Sequence, residues 1–176
     1  MESAESEARI LERIVAGELK SDDLPERFHC SIDGFHADYN RTIAAEVLLA
    51  RSKESAFESI IKWIKDLVIG KTWRHWTACN DALGMLRTYV GNPLFEERLK
   101  ETIPYLRELG KDGYQDSIPT PGWHKAYARN AIGLIVDIGG EQAISALREI
   151  IGSSSFESAK LNADKALTRL MKKEGK

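Results

Sequence analysis

The sequence predicts an all-α protein in which helix pairs stack side by side as an α-solenoid. Three observations lead to this fold class: a motif of small residues recurs, its copies keep a fixed spacing, and apolar residues recur every three or four positions. One helix pair cannot bury its own apolar face, so a fixed period of this size indicates stacked neighbouring pairs. Each copy of the motif reads small-x-x-small-aliphatic, and the aliphatic residues, which we call the anchors, are Leu48, Leu83, Ile132 and Leu167.

The spacing of the anchors indicates one interrupted period. Consecutive anchors are 35, 49 and 35 residues apart, which is a period of 35 with about 14 extra residues in the middle interval. The period also holds inside the repeats, because Ile60 and Ile64 follow their anchor at the same distances as Phe95 and Leu99 follow theirs. We therefore expect one inserted loop, at residues 110–122, within an otherwise regular array.

The first part of the chain is predicted to contain a cap and one helix pair. An apolar stripe that begins at Ala8 marks a first helix, and residues 1–36 are expected to form an N-terminal helical cap. The first repeat, residues 37–70, contains two apolar stripes, one for each helix of the pair. Gly70 directly follows the second stripe and is expected to end that helix as its C-cap.

The second repeat, residues 73–109, contains two breaks. Asn92 and Pro93 separate its helices as a cap and a first-turn proline. Pro104 lies inside the second helix of this repeat and lacks a backbone donor. We expect Pro104 to kink that helix or to split it.

The third repeat and a final helix complete the array. The third repeat covers residues 121–151 and turns at Gly139 and Gly140. An apolar stripe over residues 156–173 predicts a C-terminal capping helix, which runs into charged residues. On this interpretation residues 1–176 form a single domain.

The charge balance limits the classes of partner. The chain has 25 basic and 27 acidic residues and a net charge of −2. A net charge this small gives no long-range electrostatic attraction to nucleic acid or to an anionic membrane. No apolar run approaches the roughly 20 residues that span a bilayer. The first residues are acidic and lack the pattern of a secretory signal, and the two cysteines give no disulfide framework. We expect a cytoplasmic protein that does not bind membranes.

The strongest repeat signal lies in two segments near the end of the chain. They read AYARNAIGLIVDIGGEQAISALREII, at 126–151, and FESAKLNADKALTRL, at 156–170. Both resemble HEAT-type repeats, especially the short HEAT-like form of phycobilisome lyases and many bacterial proteins, and this resemblance implies a right-handed α-α superhelix. It is weaker over 42–109 and absent before residue 40. A tetratricopeptide array has a near-identical period, but its Trp-Leu-Gly-Tyr pattern is missing here.

Aromatic and histidine residues gather at the predicted starts of two leading helices. His75 and His124 both lie eight residues before their anchors, so they occupy equivalent positions on neighbouring repeats. Such residues supply a large contact area with a polar group, and the inserted loop enters the array at the same end. An alternative reading is that Trp76 and Tyr127 only pack between helices. The predicted partner-binding rim consists of Trp73, His75, Trp76, Tyr114, Trp123, His124 and Tyr127.

The sequence predicts neither a metal site nor a catalytic site. His29, Cys30, Asp33 and His36 are close in sequence, but Gly34 interrupts the helix that would align them. Capping or solvated side chains are therefore the better interpretation of this group. The chain has no Gly-rich phosphate loop and no GxSxG motif. We expect no enzyme activity, no cofactor and no bound metal.

The function expected from these features is a non-catalytic protein–protein interaction module of the adaptor, scaffold or inhibitor type. It would bind another protein through the curved surface of the array and the rim. HEAT-type repeats also serve as chromophore-lyase subunits and DNA-repair glycosylases, so two alternatives are open. One is a phycobilin-lyase-like or chaperone-like factor that holds a chromophore or cofactor. The other is a nucleic-acid-binding repair module, which the mixed charges of the second helices do not favour.

Overall fold

A computed structural model of the chain describes residues 7–19, 36–70, 76–111 and 126–175. These ranges contain helices and turns and no β-strand, so the predicted all-α class is confirmed for them. No helix within these ranges is long and apolar enough to cross a membrane. The helices of the described ranges are α1 (Glu7–Val15), α2 (His36–Arg51), α3 (Lys53–Ile69), α4 (Trp76–Arg87), α5 (Glu96–Lys100), α6 (Ile103–Lys111), α7 (Ala126–Ile138), α8 (Gly140–Ser153) and α9 (Glu157–Lys173).

The chain divides into two compact units, Met1–Met85 and Leu86–Lys176, which we call unit 1 and unit 2. Helices α1 to α3 belong to unit 1, and α5 to α9 belong to unit 2. The division falls within the sequence of α4. A single array of stacked helix pairs stays a prediction, whereas packing of neighbouring helices is present within each unit.

Unit 1 is built on three helices that pack against one another. Helix α3 begins after Ser52, whose side chain accepts the backbone N–H of Ser55, and it ends at Gly70, the predicted C-cap. Next to this group, Thr42 Oγ1 of α2 donates to Asp81 Oδ2 of α4 at 2.9 Å. The buried apolar side chains of the three helices include Leu11 and Val15 of α1, Leu48 of α2, and Phe57, Ile60 and Ile64 of α3.

Arg41 of α2 joins all three helices of unit 1 from a buried position. Its Nε donates to the carbonyl of Val15 at 3.0 Å, at the end of α1, and its Nη2 lies 3.0 Å from Asp66 Oδ2 of α3. The guanidinium also lies 5.4 Å from the ring centroid of Trp63. The chain leaves α1 through Gly17, which has a positive φ of 74° and passes so close to Arg41 that an added Cβ would clash with it.

Unit 2 contains helices that pack on their next-but-one neighbours as well as on adjacent ones. Helix α6 packs on α7 and α8, and α7 packs on α8 and α9. Arg87, the last residue of α4, pairs with Asp137 of α7 at 3.0 Å. The buried side chains of the unit include Leu106 of α6, Leu134 and Ile135 of α7, Leu147 and Ile150 of α8, and Leu170 of α9.

The predicted turn at Gly139 and Gly140 is present between α7 and α8. Both glycines have positive φ angles, of 75° and 81°, which residues with a side chain rarely adopt. The N–H of Gly140 donates to Glu174 Oε1 at 2.7 Å, so a carboxylate satisfies a donor at the beginning of α8.

The second helix of the second repeat is split, as predicted from Pro104. Helix α5 ends at Lys100, the residue whose carbonyl would have met the proline ring in a continuous helix. The chain then turns, and Thr102 Oγ1 donates to the carbonyl of Leu99 at 2.6 Å before α6 begins at Ile103. The proline therefore lies in the first turn of α6, where its missing donor is not needed.

Three of the four anchors are core residues. Leu48, Leu83 and Ile132 are 0%, 2% and 3% exposed, as the period predicts. The prediction is wrong for Leu167, which is half-buried, whereas Leu170 of the same helix is fully buried. Among the described residues α9 packs chiefly on α7 and α8, so its core-facing stripe is narrower than that of a helix with neighbours on both sides.

The beginning of the predicted loop also requires correction. Helix α6 continues to Lys111, so Gly110 is helical and buried instead of being a loop residue. A Cβ on Gly110 would lie 3.0 Å from side-chain atoms of both Ile132 and Ile150. The glycine therefore permits close packing of α6 on α7 and α8. The rest of the predicted loop lies outside the described residues.

Candidate functional site

Five of the seven residues of the predicted rim lie outside the residues that the structure describes. Trp76 is the first residue of α4, and Tyr127 lies near the beginning of α7, where it is half-buried. The structure therefore does not test whether the rim residues lie together, and the rim stays a prediction. The members that lie outside the described ranges are Trp73, His75, Tyr114, Trp123 and His124.

The described residues offer a different candidate, a polar groove in unit 1. It has a volume of about 470 Å³ and runs between α1, with the turn that follows it, and α3. Every lining residue is charged or carries a hydroxyl group. The groove is lined by Arg9, Glu12, Arg13 and Glu18 on one side and by Glu54, Ser55, Glu58, Ser59 and Lys62 on the other.

The groove follows from the lengths and directions of its helices. Helix α1 has nine residues and α3 has 17, so α1 covers only part of the length of α3. Arg51, at the end of α2, pairs with Glu7 at 3.1 Å, at the beginning of α1. Lys62, in the second half of α3, lies 3.7 Å from Glu18, just after α1. Helices α1 and α3 therefore run in the same direction, with their polar stripes beside each other.

This parallel arrangement places charges of both signs along the groove. The end beside the C-terminus of α1 holds Arg13 and Lys62, which share Glu18 at 3.9 Å and 3.7 Å. Arg13 also has a further interaction in the structure, so these side chains belong to a set of mutually compensating charges.

The rest of the groove lining also carries charges of both signs. It holds the carboxylates of Glu12, Glu54 and Glu58 and the guanidinium of Arg9. Glu12 forms no ion pair or side-chain hydrogen bond with any residue in the described ranges. Arg9, Glu54 and Glu58 each interact with other groups in the structure.

Ser59 is the most buried residue that lines the groove. It is 4% exposed, but its hydroxyl is not among the buried side-chain atoms without a hydrogen-bond partner in the described ranges, which are Trp63 Nε1 and Ser158 Oγ.

A second cluster of charges lies between α6 and α8 in unit 2. Glu149 accepts from Lys111 Nζ at 2.7 Å and from Arg107 Nη1 at 2.6 Å. The Lys111 hydrogen bond, with the charge of Arg107, holds the pKa of the Glu149 carboxyl below its ordinary value. Because these groups satisfy one another across the helix interface, the cluster joins two helices and leaves little for a ligand.

The described ranges hold no group of His, Cys, Asp and Glu residues that could bind a metal ion. Of the four residues weighed as ligands, His29, Cys30 and Asp33 lie outside those ranges. His36 is the first residue of α2. Cys79, which is fully buried, has the small apolar role expected from its place in the repeat motif.

The groove was not among the predicted sites, although part of it was visible in the sequence. The mixed signs of Glu58 and Lys62 are apparent on α3, and Arg9 and Arg13 recur on one face of α1. If the charged stripes of α1 and α3 had been considered together, they could have indicated a polar surface between these two helices. The contact between Glu18 and Lys62 that aligns them joins residues 44 positions apart, which periodicity alone does not reveal.

The fold and the groove define an all-α protein of packed helices with a charged surface cleft. Comparisons of the chain with models of known protein families, with curated proteins and with solved structures find no match.

Proposed function

We propose that this protein is a non-catalytic protein–protein interaction module built from HEAT-like helix pairs. The observation that carries the proposal is the groove of unit 1, whose lining presents charges of both signs and two serine hydroxyls. Polypeptides carry both charges and many hydrogen-bonding groups, so a protein segment matches this lining well. An apolar chromophore would meet charged side chains on both sides of the groove, and a nucleic acid would meet its carboxylates.

The HEAT-like part of the proposal is supported by packing within unit 2. In stacked helix pairs, leading helices contact leading helices and second helices contact second helices. Helix α7 packs on α9, and both are leading helices by the sequence period. Helix α6 packs on α8, and both are second helices. Buried small residues at the motif positions, such as Ala131 and Ala163, permit the close approach.

Affinity capture from native lysate, with the full chain immobilised and bound proteins identified by mass spectrometry, tests the proposed function. We expect a specific protein to be retained and then to bind the purified chain at a fixed stoichiometry. Capture of nucleic acid with a steep salt dependence, or of a pigment that absorbs visible light, would support one of the alternatives instead. If no macromolecule binds specifically, the interaction function is wrong.

The double substitution of Trp73 and Trp123 to Ala tests the rim within the same assay. Circular dichroism should first establish that the variant is folded. Loss of the captured protein with an intact fold would support the rim as the contact surface. Unchanged affinity would exclude it, and loss of the fold would show that the tryptophans pack in the interior.

A further inference from the structure

We propose that the C-terminal half of α9 binds an acidic segment of another protein through a stripe of four cations. The inference rests on the proposed interaction function and specifies a contact surface on unit 2 and the chemistry of its partner. The four cations, which we call the basic stripe, are Lys165, Arg169, Lys172 and Lys173. All four side chains are exposed. Since an α-helix turns by about 100° per residue, the four fall within an arc of about 100° on one side of α9.

Within the described ranges, no carboxylate compensates the basic stripe. None of its four cations forms an ion pair or a side-chain hydrogen bond with any described residue. The basic residues at the end of α6 differ, since Arg107 and Lys111 pair with Glu149 of α8 at 2.6 Å and 2.7 Å. Because α9 has no acidic residue between Lys165 and Lys173, this part of the helix carries an excess positive charge.

The helix dipole accounts for only part of the basic stripe. Cations near a helix C-terminus are favoured by the dipole, but the effect is confined to the last turn, which holds Lys172 and Lys173. Lys165 and Arg169 lie before that turn, and like charges four residues apart on a helix repel each other. Arg169 repels Lys173 in the same way. An acidic partner would remove this repulsion, so the stripe suits a surface that is covered by carboxylates.

The exposed face of α9 favours an acidic polypeptide over other polyanions. Glu157 and Asp164 are also exposed, and on the helix they lie to one side of the basic stripe. A nucleic acid or an anionic membrane presents negative charge across the whole face and would meet these carboxylates. A polypeptide can follow the stripe alone. Leu161, which is 52% exposed one turn before Lys165, offers such a segment an apolar contact.

The spacing of the cations sets the spacing of the partner's carboxylates. Lys165, Arg169 and Lys173 follow one another at intervals of four residues, so they are about 6 Å apart along the helix axis. In an extended chain the side chains on one side recur every second residue, about 6.6 Å apart. The segment that fits the stripe therefore has three acidic residues at alternate positions.

Binding of short peptides, measured by fluorescence anisotropy with the full chain, tests the inference. The probe is a fluorescein-labelled Gly-Ser peptide with capped ends and three Glu at alternate positions, and the matched peptides have Gln or Lys at those positions. We expect only the Glu peptide to bind, and to bind more weakly at high salt because the cations are exposed. No binding of the Glu peptide, or equal binding of the Gln peptide, would overturn the inference. Tighter binding of a DNA duplex, or of vesicles of phosphatidylserine and phosphatidylcholine in equal parts, would also overturn it.

Two matched charge reversals locate the binding surface. Arg169→Glu should weaken binding of the Glu peptide about fivefold or more, since an attraction in the middle of the stripe becomes a repulsion. Its melting temperature should not fall, because a carboxylate four residues from Lys165 and from Lys173 replaces repulsion with attraction. Arg148→Glu makes the same change at an exposed position of α8 that also lacks an ion pair in the described ranges, and it should leave binding unchanged. Wild-type binding by Arg169→Glu, or equal weakening by both variants, would show that the stripe is not the site.

The captured protein distinguishes failure of this inference from failure of the proposed function. If a specific partner binds wild type and Arg169→Glu with equal affinity, the basic stripe is not the contact surface, yet the interaction function stands. If lysate yields no specific partner for the wild type, the interaction function itself fails, and this inference fails with it. Weaker capture by Arg169→Glu, with normal capture by Arg148→Glu, is the expected result.

Discussion

Replacing Arg41 with Ala should loosen α1 from unit 1 before it unfolds the rest of the chain. Arg41 is the buried side chain that contacts the end of α1, the face of Trp63 on α3 and the carboxylate of Asp66. Because α1 forms one wall of the groove, its attachment determines both the stability of the unit and the shape of the proposed binding site.

The contacts of Arg41 give the size of the effect. The buried bond from a charged donor to the Val15 carbonyl contributes about 1.5–3 kcal/mol. The ion pair with Asp66 adds less than about 1 kcal/mol, because the carboxylate is 55% exposed and screened by water. The contact with Trp63 adds about 0.5–2 kcal/mol. Since the contacts are coupled, we expect a loss of about 3 kcal/mol in the free energy of unfolding.

Urea denaturation and amide hydrogen exchange measure the two parts of this prediction. The denaturation midpoint should fall, and the amides of α1 should lose more protection than those of α3. Arg51→Ala is the matched control, since Arg51 lies on the same helix and also pairs with α1, through Glu7, but both side chains are about half exposed. The control should cost well under 1 kcal/mol. If Arg41→Ala costs no more than Arg51→Ala, Arg41 does not hold α1 in place.

Three further predictions concern the core, the loop and pH. Leu83→Ala or Ile132→Ala should each cost about 2–5 kcal/mol in denaturant melts as core truncations, and a cost below about 1 kcal/mol would contradict the burial of the anchors. Deletion of residues 112–121 should leave a folded protein by circular dichroism, because loop length changes closure entropy slowly, whereas an insoluble product would mean that the segment supports the fold. Because the pKa of Glu149 is lowered in the folded protein, its ionised carboxylate stabilises the fold. This stabilisation is complete above the ordinary carboxyl pKa of about 4.3 and is lost as pH falls through the lower pKa of the folded state. Glu149→Gln should therefore make the free energy of unfolding depend less steeply on pH in acid, and an unchanged slope would mean that other carboxyls cause the pH dependence.

The elements with strong local signals could be predicted from the sequence. The anchors Leu48, Leu83 and Ile132 are buried because apolar spacing reports which helix face meets a neighbour. Pro104 splits its helix because the missing donor and the ring act locally, whatever the surroundings. These features depend on residues within a few turns of one another, which the chain order displays directly.

The sequence predictions that the structure corrects are those for residues whose burial depends on tertiary contacts. Gly110 resembles a helix-ending residue in sequence, yet its buried position depends on Ile132 and Ile150, which are distant in the chain. Leu167 fits the period but has too few neighbours to be covered fully. The groove was missed for the same reason, because the direction of α1 relative to α3 is fixed by contacts that no local pattern contains.

The division of the helix before Pro104 gives unit 2 a site where it can open locally. Helix α5 has only five residues, too few for a helix to persist without support, and Leu99 is its one buried residue. Opening of α5 does not require α6 to unfold, because the hydrogen-bond ladder is already interrupted between them. Arg98 and Lys100 are trypsin cleavage residues within this turn. Limited proteolysis of native protein should therefore include cuts here at a rate set by local opening instead of global unfolding.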